Sequence, residues 1–148
     1  MRVEELIGVK GSAVITVVGA ARLRDAARIM QRLSVGALVV VTPAGQLEGV
    51  VSEREIVGAL GERGAAALDL RVSDLMLADR PTVAPTDTVR DAMTIMTERR
   101  VRHLPVVSEG SVVGLISIGD TVKARLSEKI TENLVLQDIA RWPAPKVA

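Results

Sequence analysis

The chain has 148 residues, with 19 Lys and Arg against 18 Asp and Glu, so its formal net charge is +1. This balance provides no basic excess for binding a nucleic-acid backbone, and the absence of Cys excludes disulfides, thiolate nucleophiles and Cys-type metal sites. One His and one aromatic residue, Trp142, leave neither a multi-His metal site nor a platform for stacked bases. We therefore expect no metal and no nucleic-acid partner, and a chain suited to the reducing cytoplasm.

Membrane insertion and export are also not expected. Charged residues interrupt every candidate run of about 20 apolar residues. The first five residues already contain Glu4 and Glu5, and no apolar signal core follows them. The sequence predicts a cytoplasmic protein without a membrane partner.

The first half of the chain predicts a β-α-β-β-α unit. A β-branched segment, Val14–Val18, precedes a helix whose apolar residues recur at i, i+3, i+4 and i+7. Two apolar strands, Ala37–Val41 and Leu47–Val51, flank a turn and predict a hairpin. A second helix is expected from Glu53 to about Arg63. The residues on the apolar face of the first helix are Leu23, Ala26, Ala27 and Met30.

The second half predicts the same order of elements. A short strand, Thr82–Ala84, precedes a helix whose apolar residues have the same spacing as those of the first helix in the first half. Strands Leu104–Val107 and Val112–Ile116 form the predicted hairpin, and a helix from Gly119 to about Lys129 follows. The residues on the apolar face are Val89, Ala92, Met93 and Met96.

Two further segments lie outside these units. The stretch Gly64–Leu70 connects them, and Val72–Met76 predicts a short turn of helix. A final segment, Glu128–Arg141, has a partly apolar face and ends before the prolines of the tail.

The two halves are copies of one another. Thr16-Val17 recurs as Thr82-Val83, 66 residues later, and the same offset relates two further groups of residues. After the hairpin turn the offset becomes 65, as in Gly49 and Gly114, because one residue is missing where turns tolerate deletion. The groups related by 66 are Arg24-Asp25-Ala26 with Arg90-Asp91-Ala92, and Ile29-Met30 with Ile95-Met96.

The predicted fold is therefore α/β (α+β), with two pseudosymmetric β-α-β-β-α repeats packed against each other. The predicted boundaries are residues 3–63 for the first repeat, 64–72 for a linker, 73–126 for the second repeat, and 127–148 for a C-terminal helix and tail. Nearly continuous apolar strands, such as Leu38–Val41, indicate burial on both faces.

Each hairpin ends in a hydroxyl followed three residues later by an acid at a helix start. The pairs are Ser52 with Glu55 and Ser117 with Asp120. One interpretation is a capping box, in which the two side chains satisfy backbone groups. The other is a ligand site, since a helix N-terminus attracts phosphate and a carboxylate accepts hydrogen bonds from ribose hydroxyls. The spacing alone is compatible with both.

The motifs around these pairs resemble those of a tandem cystathionine-β-synthase (CBS) domain pair. The resemblance runs over roughly Val3 to Leu126 and includes the paired repeat itself. Its motifs are Gly49–Ile56, Ser73–Met76, Arg102–Val107, Gly114–Asp120 and Ser117–Lys123.

The resemblance implies two clefts that bind adenosine-containing ligands such as AMP, ADP, ATP or S-adenosylmethionine. By motif, Ser117 contacts phosphate and Asp120 contacts the ribose, and Ser52 and Glu55 hold the matching places in the first repeat. Glu55 departs from the family's Asp, which displaces the carboxylate by about one bond, so we rank the second-repeat site above the first.

Six further residues complete the implied clefts. Thr82, Val83 and Ile116 would line an adenine pocket, with a purely core role as the alternative. Arg102 and His103 match the family position close to the ligand, with an interaction at a helix C-terminus as the alternative. Arg54 would reach a phosphate, although an exposed Arg at a helix start is the commoner finding.

The expected function is a non-catalytic regulatory module that requires no cofactor, because no nucleophile, base and orienting group occur together. Its implied partners are an adenine nucleotide, an unidentified protein, and a second copy of the chain that meets segments Ile56–Leu60 and Val122–Leu126. The alternative is a ligand-free scaffold that only mediates dimerisation.

Overall fold

The computed structural model describes residues 1–11 and 13–141, so Trp142 and the rest of the predicted tail lie outside it. Its helices and strands follow the predicted order of two repeats. They are α1 (Val3–Lys10), β1 (Thr16–Val18), α2 (Leu23–Leu33), β2 (Ala37–Val41), β3 (Leu47–Ser52), α3 (Glu53–Arg63), a 3-10 helix (Gly64–Asp69), α4 (Val72–Leu75), α5 (Val89–Glu98), β4 (His103–Ser108), β5 (Ser111–Ser117) and α6 (Ile118–Arg141).

The repeat extends to the way that α2 and α5 end. Ser34 and Arg100 follow these helices, and each has a left-handed backbone with φ 53°. The N–H groups of Val35 and Val101 then donate to carbonyls five residues earlier, both over 3.0 Å. Both helices therefore end in the same C-terminal motif, with an apolar residue turned back against its core.

The two sheets differ although their sequences are related. In the first repeat, β1 pairs parallel to β2, and β2 pairs antiparallel to β3. In the second repeat, β4 and β5 form a hairpin, and only Val83 bridges it. The predicted strand Thr82–Ala84 is therefore reduced to one bridge, in which Val83 N donates to Pro105 O over 3.1 Å and Val107 N donates to Val83 O over 2.9 Å. Val39 N donates to Ile15 O over 3.1 Å in the first repeat, and Pro105 stands 66 residues after Val39 without an N–H to repeat that bond.

The C-terminal segments also differ from the prediction. Gly119–Lys129 and Glu128–Arg141, predicted separately, form the single 24-residue helix α6. Residues 120–141 contain neither Gly nor Pro, and the ion pairs Arg125–Glu128 (2.5 Å) and Lys129–Glu132 (2.6 Å) cross the expected junction. Among the described residues, no helix has both the length and the apolar character needed to cross a bilayer.

Helix α1 was not predicted, and it packs on the distant repeat. Its residues Val3, Leu6 and Ile7 belong to the core that contains α5, β4 and β5. Reciprocally, Val72 of α4 belongs to the core of the first repeat. Each core is thus closed by the helix that precedes the other repeat in sequence, which holds the two halves together.

Candidate functional site

The two hydroxyl–acid pairs lie at equivalent helix starts. Glu53 N donates to Gly36 O over 3.0 Å, and Ile118 N donates to Arg102 O over 2.9 Å. Each helix therefore begins beside the first residues of its own hairpin. This geometry places Ser52 and Glu55 at the start of α3, and Ser117 and Asp120 at the start of α6.

At the second-repeat site, Ser117 and Asp120 form a reciprocal cap. Ser117 N donates to Asp120 Oδ2 over 2.8 Å, and Asp120 N donates to Ser117 Oγ over 3.1 Å. The Ser117 hydroxyl oxygen accepts in this cap, and a hydroxyl that accepts can donate at the same time. The capping interpretation is realised at this site.

Lys10, at the end of α1, reaches the same carboxylate. Its Nζ lies 2.5 Å from Asp120 Oδ2 and 2.8 Å from Leu115 O. The pair is partly open to solvent, with 39% of the Lys10 side chain and 23% of the Asp120 side chain exposed. Partial burial favours a higher pKa for Asp120, but the hydrogen bonds from Lys10 and Ser117 outweigh it and hold this pKa below its ordinary value.

The first-repeat site is closed. Ser52 donates to Glu55 Oε2 twice, from its N–H over 2.7 Å and from its hydroxyl over 2.5 Å. The other oxygen, Oε1, accepts from Arg80 Nη2 over 3.2 Å. Only 7% of the Arg80 side chain and 10% of the Glu55 side chain are exposed. Both carboxylate oxygens and the Ser52 hydroxyl hydrogen are therefore already in use.

Arg80 is incompletely compensated in this position. Among the buried side-chain nitrogen and oxygen atoms of the described residues, its Nε alone has no hydrogen-bond partner. Burial lowers the pKa of Arg80, the Glu55 carboxylate raises it, and neighbouring Arg54 lowers it again. The Glu55 carboxylate thus offsets the burial of Arg80 only in part.

His103 lies between the two sites. It pairs with Ser117 across the β4–β5 hairpin, and its imidazole lies against Gly36 of the first repeat. Burial lowers the pKa of His103, and Arg80 and Lys10 lower it further, while Asp120 and Glu55 oppose them. The pKa of His103 therefore depends on the ion pairs of both sites.

The remaining predicted residues divide between core and surface. Val83 and Ile116 are buried in the core of the second repeat, whereas Thr82 is exposed. Arg80 lies two residues before Thr82, so the segment leading to Thr82 passes the Glu55 carboxylate. The side chains of Arg54 and Arg102 are exposed at their helix and strand starts.

Lys10 and Arg80 were missed by the sequence analysis. At the offset of 66, Lys10 stands opposite Met76, and Arg80 stands opposite Val14. A cation opposite an apolar residue in the other copy is the signal that would have found both.

A comparison with protein families matches the CBS domain twice, over residues 6–62 and 72–127. Among curated proteins, the mitochondrial CBS domain-containing protein CBSX3 of Arabidopsis thaliana is 38% identical over 108 residues. That match covers 70% of this chain and 52% of the relative, so it spans about half of the relative's length.

Solved structures share the fold. The CBS-domain protein ATU1752 of Agrobacterium tumefaciens is 38% identical, with a TM-score of 0.81 over 84% of this chain and 92% of that one. The CBS domain pair of MJ0100, solved with 5-methylthioadenosine and S-adenosyl-L-methionine, has a TM-score of 0.78 at 19% identity and covers 86% of this chain and 98% of that one. The predicted resemblance and the α+β class are confirmed: the chain belongs to the CBS-domain family and carries this domain as a tandem pair.

Proposed function

We propose that this CBS pair is a non-catalytic regulatory module that binds an adenosine-containing ligand at the start of α6. The observation that carries this proposal is the open state of the second-repeat site. Both hydrogen bonds from Ser117 N and Lys10 Nζ end on Asp120 Oδ2, and among the described residues none ends on Oδ1. A carboxylate oxygen is thus available to a ligand, and rotation of the Ser117 hydroxyl would let it donate to the same ligand.

These groups fit the ribose and phosphate of a nucleotide. Asp120 Oδ1 would accept from a ribose hydroxyl, and the Ser117 hydroxyl would donate to phosphate at the helix N-terminus. Lys10, partly exposed, can move from Asp120 to the phosphate at small cost. Arg102 and His103 supply further positive or donor groups beside Ser117, and Thr82, Val83 and Ile116 remain the proposed surroundings of the base.

The ligand class is supported by the family. The MJ0100 pair was solved with 5-methylthioadenosine and S-adenosyl-L-methionine, which are both adenosine compounds. For this chain we propose AMP, ADP, ATP or S-adenosylmethionine as regulatory ligands.

The test is the replacement Asp120→Asn. The amide keeps the shape and one acceptor of the cap but removes the negative charge that would hold the ribose. We expect the site at the start of α6 to bind AMP about 10- to 100-fold more weakly, which corresponds to the loss of a charge-assisted hydrogen bond. Titration calorimetry measures the affinity, and Asp138→Asn, at an exposed position of the same helix, is the matched control.

Two results would contradict this assignment. An Asp120→Asn variant in which every AMP site keeps the affinity that it has in the unmodified chain would remove Asp120 from the site. Binding of none of AMP, ATP and S-adenosylmethionine by the unmodified chain would favour the second candidate function.

That second candidate is a scaffold that acts through dimerisation alone. It is favoured by an exposed apolar groove of about 690 Å³ along α6, whose lining includes Ile118, Val122, Leu126 and Ile130. On α3, Val57 and Leu60 are also exposed. We propose that these faces meet a second copy of the chain in both candidate functions. If the module binds a ligand, ligand binding and dimer packing then involve the same helix, α6.

A further inference from the structure

The first-repeat site differs from the second in having no polar group to offer. Glu55 Oε2 accepts both hydrogen bonds from Ser52, and Oε1 accepts from Arg80. A ribose can reach this carboxylate only if Arg80 leaves it. Ligand binding in the first-repeat cleft therefore requires that Arg80 leave Glu55.

Arg80 itself has a buried donor, Nε, without an acceptor among the described residues. Its side chain is 7% exposed, its single ion pair spans 3.2 Å, and its buried Nε donates to nothing among the described residues. A guanidinium has five N–H donors in a planar fork, which match the two oxygens of an oxyanion. A further pair of negatively charged oxygens would supply the acceptors that the Arg80 guanidinium lacks.

Two ligands that share adenine and ribose would meet this arrangement differently. An uncharged nucleoside offers hydroxyls to Glu55 but leaves Arg80 without the Glu55 carboxylate. A phosphorylated nucleoside offers hydroxyls to Glu55 and oxyanion acceptors to Arg80 and Arg54 at the same time. Only the phosphorylated nucleoside replaces every charged contact that its binding breaks.

We propose that Arg80 makes the first-repeat cleft selective, so that it excludes uncharged adenosine ligands and admits those that carry phosphate. The second-repeat cleft has no such requirement. Lys10 is 39% exposed there, and Asp120 keeps one oxygen free of hydrogen bonds among the described residues. When Lys10 is displaced, water solvates its ammonium group, so this cleft admits both kinds of ligand.

The proposal rests on the proposed function, and calorimetric stoichiometry separates the two. Adenosine and AMP are the probes because they differ only in the phosphate. We expect the unmodified chain to bind one adenosine but two AMP per chain. In the Asp120→Asn variant, where the second-repeat cleft is weakened, one tight equivalent of AMP should remain and tight adenosine binding should be lost.

The outcomes are distinct. Two equivalents of adenosine, or one equivalent of AMP, for the unmodified chain would overturn the selectivity while leaving the proposed function standing. Binding of neither probe would overturn the proposed function itself.

A second variant tests Arg80 directly. Arg80→Gln removes the charge and the fork but keeps a polar side chain, and we expect it to bind two equivalents of adenosine. Arg63→Gln, at the exposed end of α3, is the control and should keep one adenosine and two AMP. One equivalent of adenosine for Arg80→Gln would overturn the role of Arg80. Should Arg80→Gln fail to fold, the titrations of the unmodified chain and of Asp120→Asn still decide the selectivity.

Discussion

His103 is the residue at which the electrostatic effects of the two hydroxyl–acid sites overlap. Arg80 and Glu55 act on it from the first-repeat site, and Lys10 and Asp120 act on it from the second. Its backbone pairs with Ser117, and its ring lies against Gly36, so the side chain cannot turn away from either site without loss of packing. A proton on His103 would add a third cation to the interior between them.

This arrangement predicts an acid-sensitive contribution to stability. The pKa of His103 is lowered in the folded chain, chiefly by burial, so between that value and about 6.5 the unfolded chain binds more protons. The free energy of unfolding should therefore fall as the pH drops below about 6.5, by at most about 1.4 kcal/mol per pH unit. The His103→Gln variant should lose this slope in urea denaturation between pH 7.5 and 5.

Other titrating groups do not confuse the comparison. Asp91, Asp120 and Glu128 have lowered pKa values, so their contributions are full above about pH 4.5 and are lost only below it. They are also present in both proteins. Parallel profiles for the unmodified chain and His103→Gln would show that His103 does not carry the pH dependence.

At the same scale, local motifs were predictable and ion pairs were not. Ser117 and Asp120 could be identified because a cap needs only three residues of spacing. Lys10 lies 110 residues from Asp120 in sequence, and Arg80 lies 25 residues from Glu55. Which cation meets which carboxylate depends on the exchange of α1 and α4 between repeats, and neither the motif nor its spacing contains that information.

At the scale of elements, the hairpins and the starts of the helices after them were predicted to within a few residues, since apolar runs and turn residues define them. Helix α1 was not predicted, because its apolar residues pack on the second repeat rather than on the neighbouring part of the chain. Gly49 and Gly114 mark where the exchanged segments approach the two hairpins. A Cβ on Gly49 would lie 2.9 Å from Leu77 O, and one on Gly114 would lie 2.8 Å from Ile7 Cδ1.

These contacts predict different responses to the same substitution. Gly114→Ala should destabilise the chain by roughly 1–3 kcal/mol through overpacking, and Ile7→Val should recover part of that loss because valine lacks the Cδ1 methyl group. Gly49→Ala meets a backbone carbonyl, so Ile7→Val should not help it. Urea denaturation of the single and double variants measures the coupling. Additive effects of Gly114→Ala and Ile7→Val would contradict the packing of α1 on the second hairpin.

At the scale of the whole molecule, one turn of α6 serves both proposed activities. Ile118 and Gly119 lie between Ser117 and Asp120, and they also line the exposed groove. A ligand that binds one dimer arrangement better than another shifts the equilibrium only by that difference in affinity. The proposed ligand site and the proposed dimer face are close enough for such a difference to arise within a single helical turn.

The proposed dimer face on α6 predicts how substitutions there change the oligomeric state. Ile118, Val122, Leu126 and Ile130 recur every four residues and form an apolar ridge, with Val122 43% and Leu126 60% exposed. If two copies bury this ridge, each large apolar side chain contributes about 1.5–3 kcal/mol, and a buried glutamate forfeits more than that. Val122→Glu combined with Leu126→Glu should therefore give a monomer in sedimentation velocity, where we expect the unmodified chain to be a dimer. Val9→Glu, at an 84% exposed position on α1, is the control and should remain a dimer. A monomeric unmodified chain, or a double variant that still sediments as a dimer, would remove α6 from the interface.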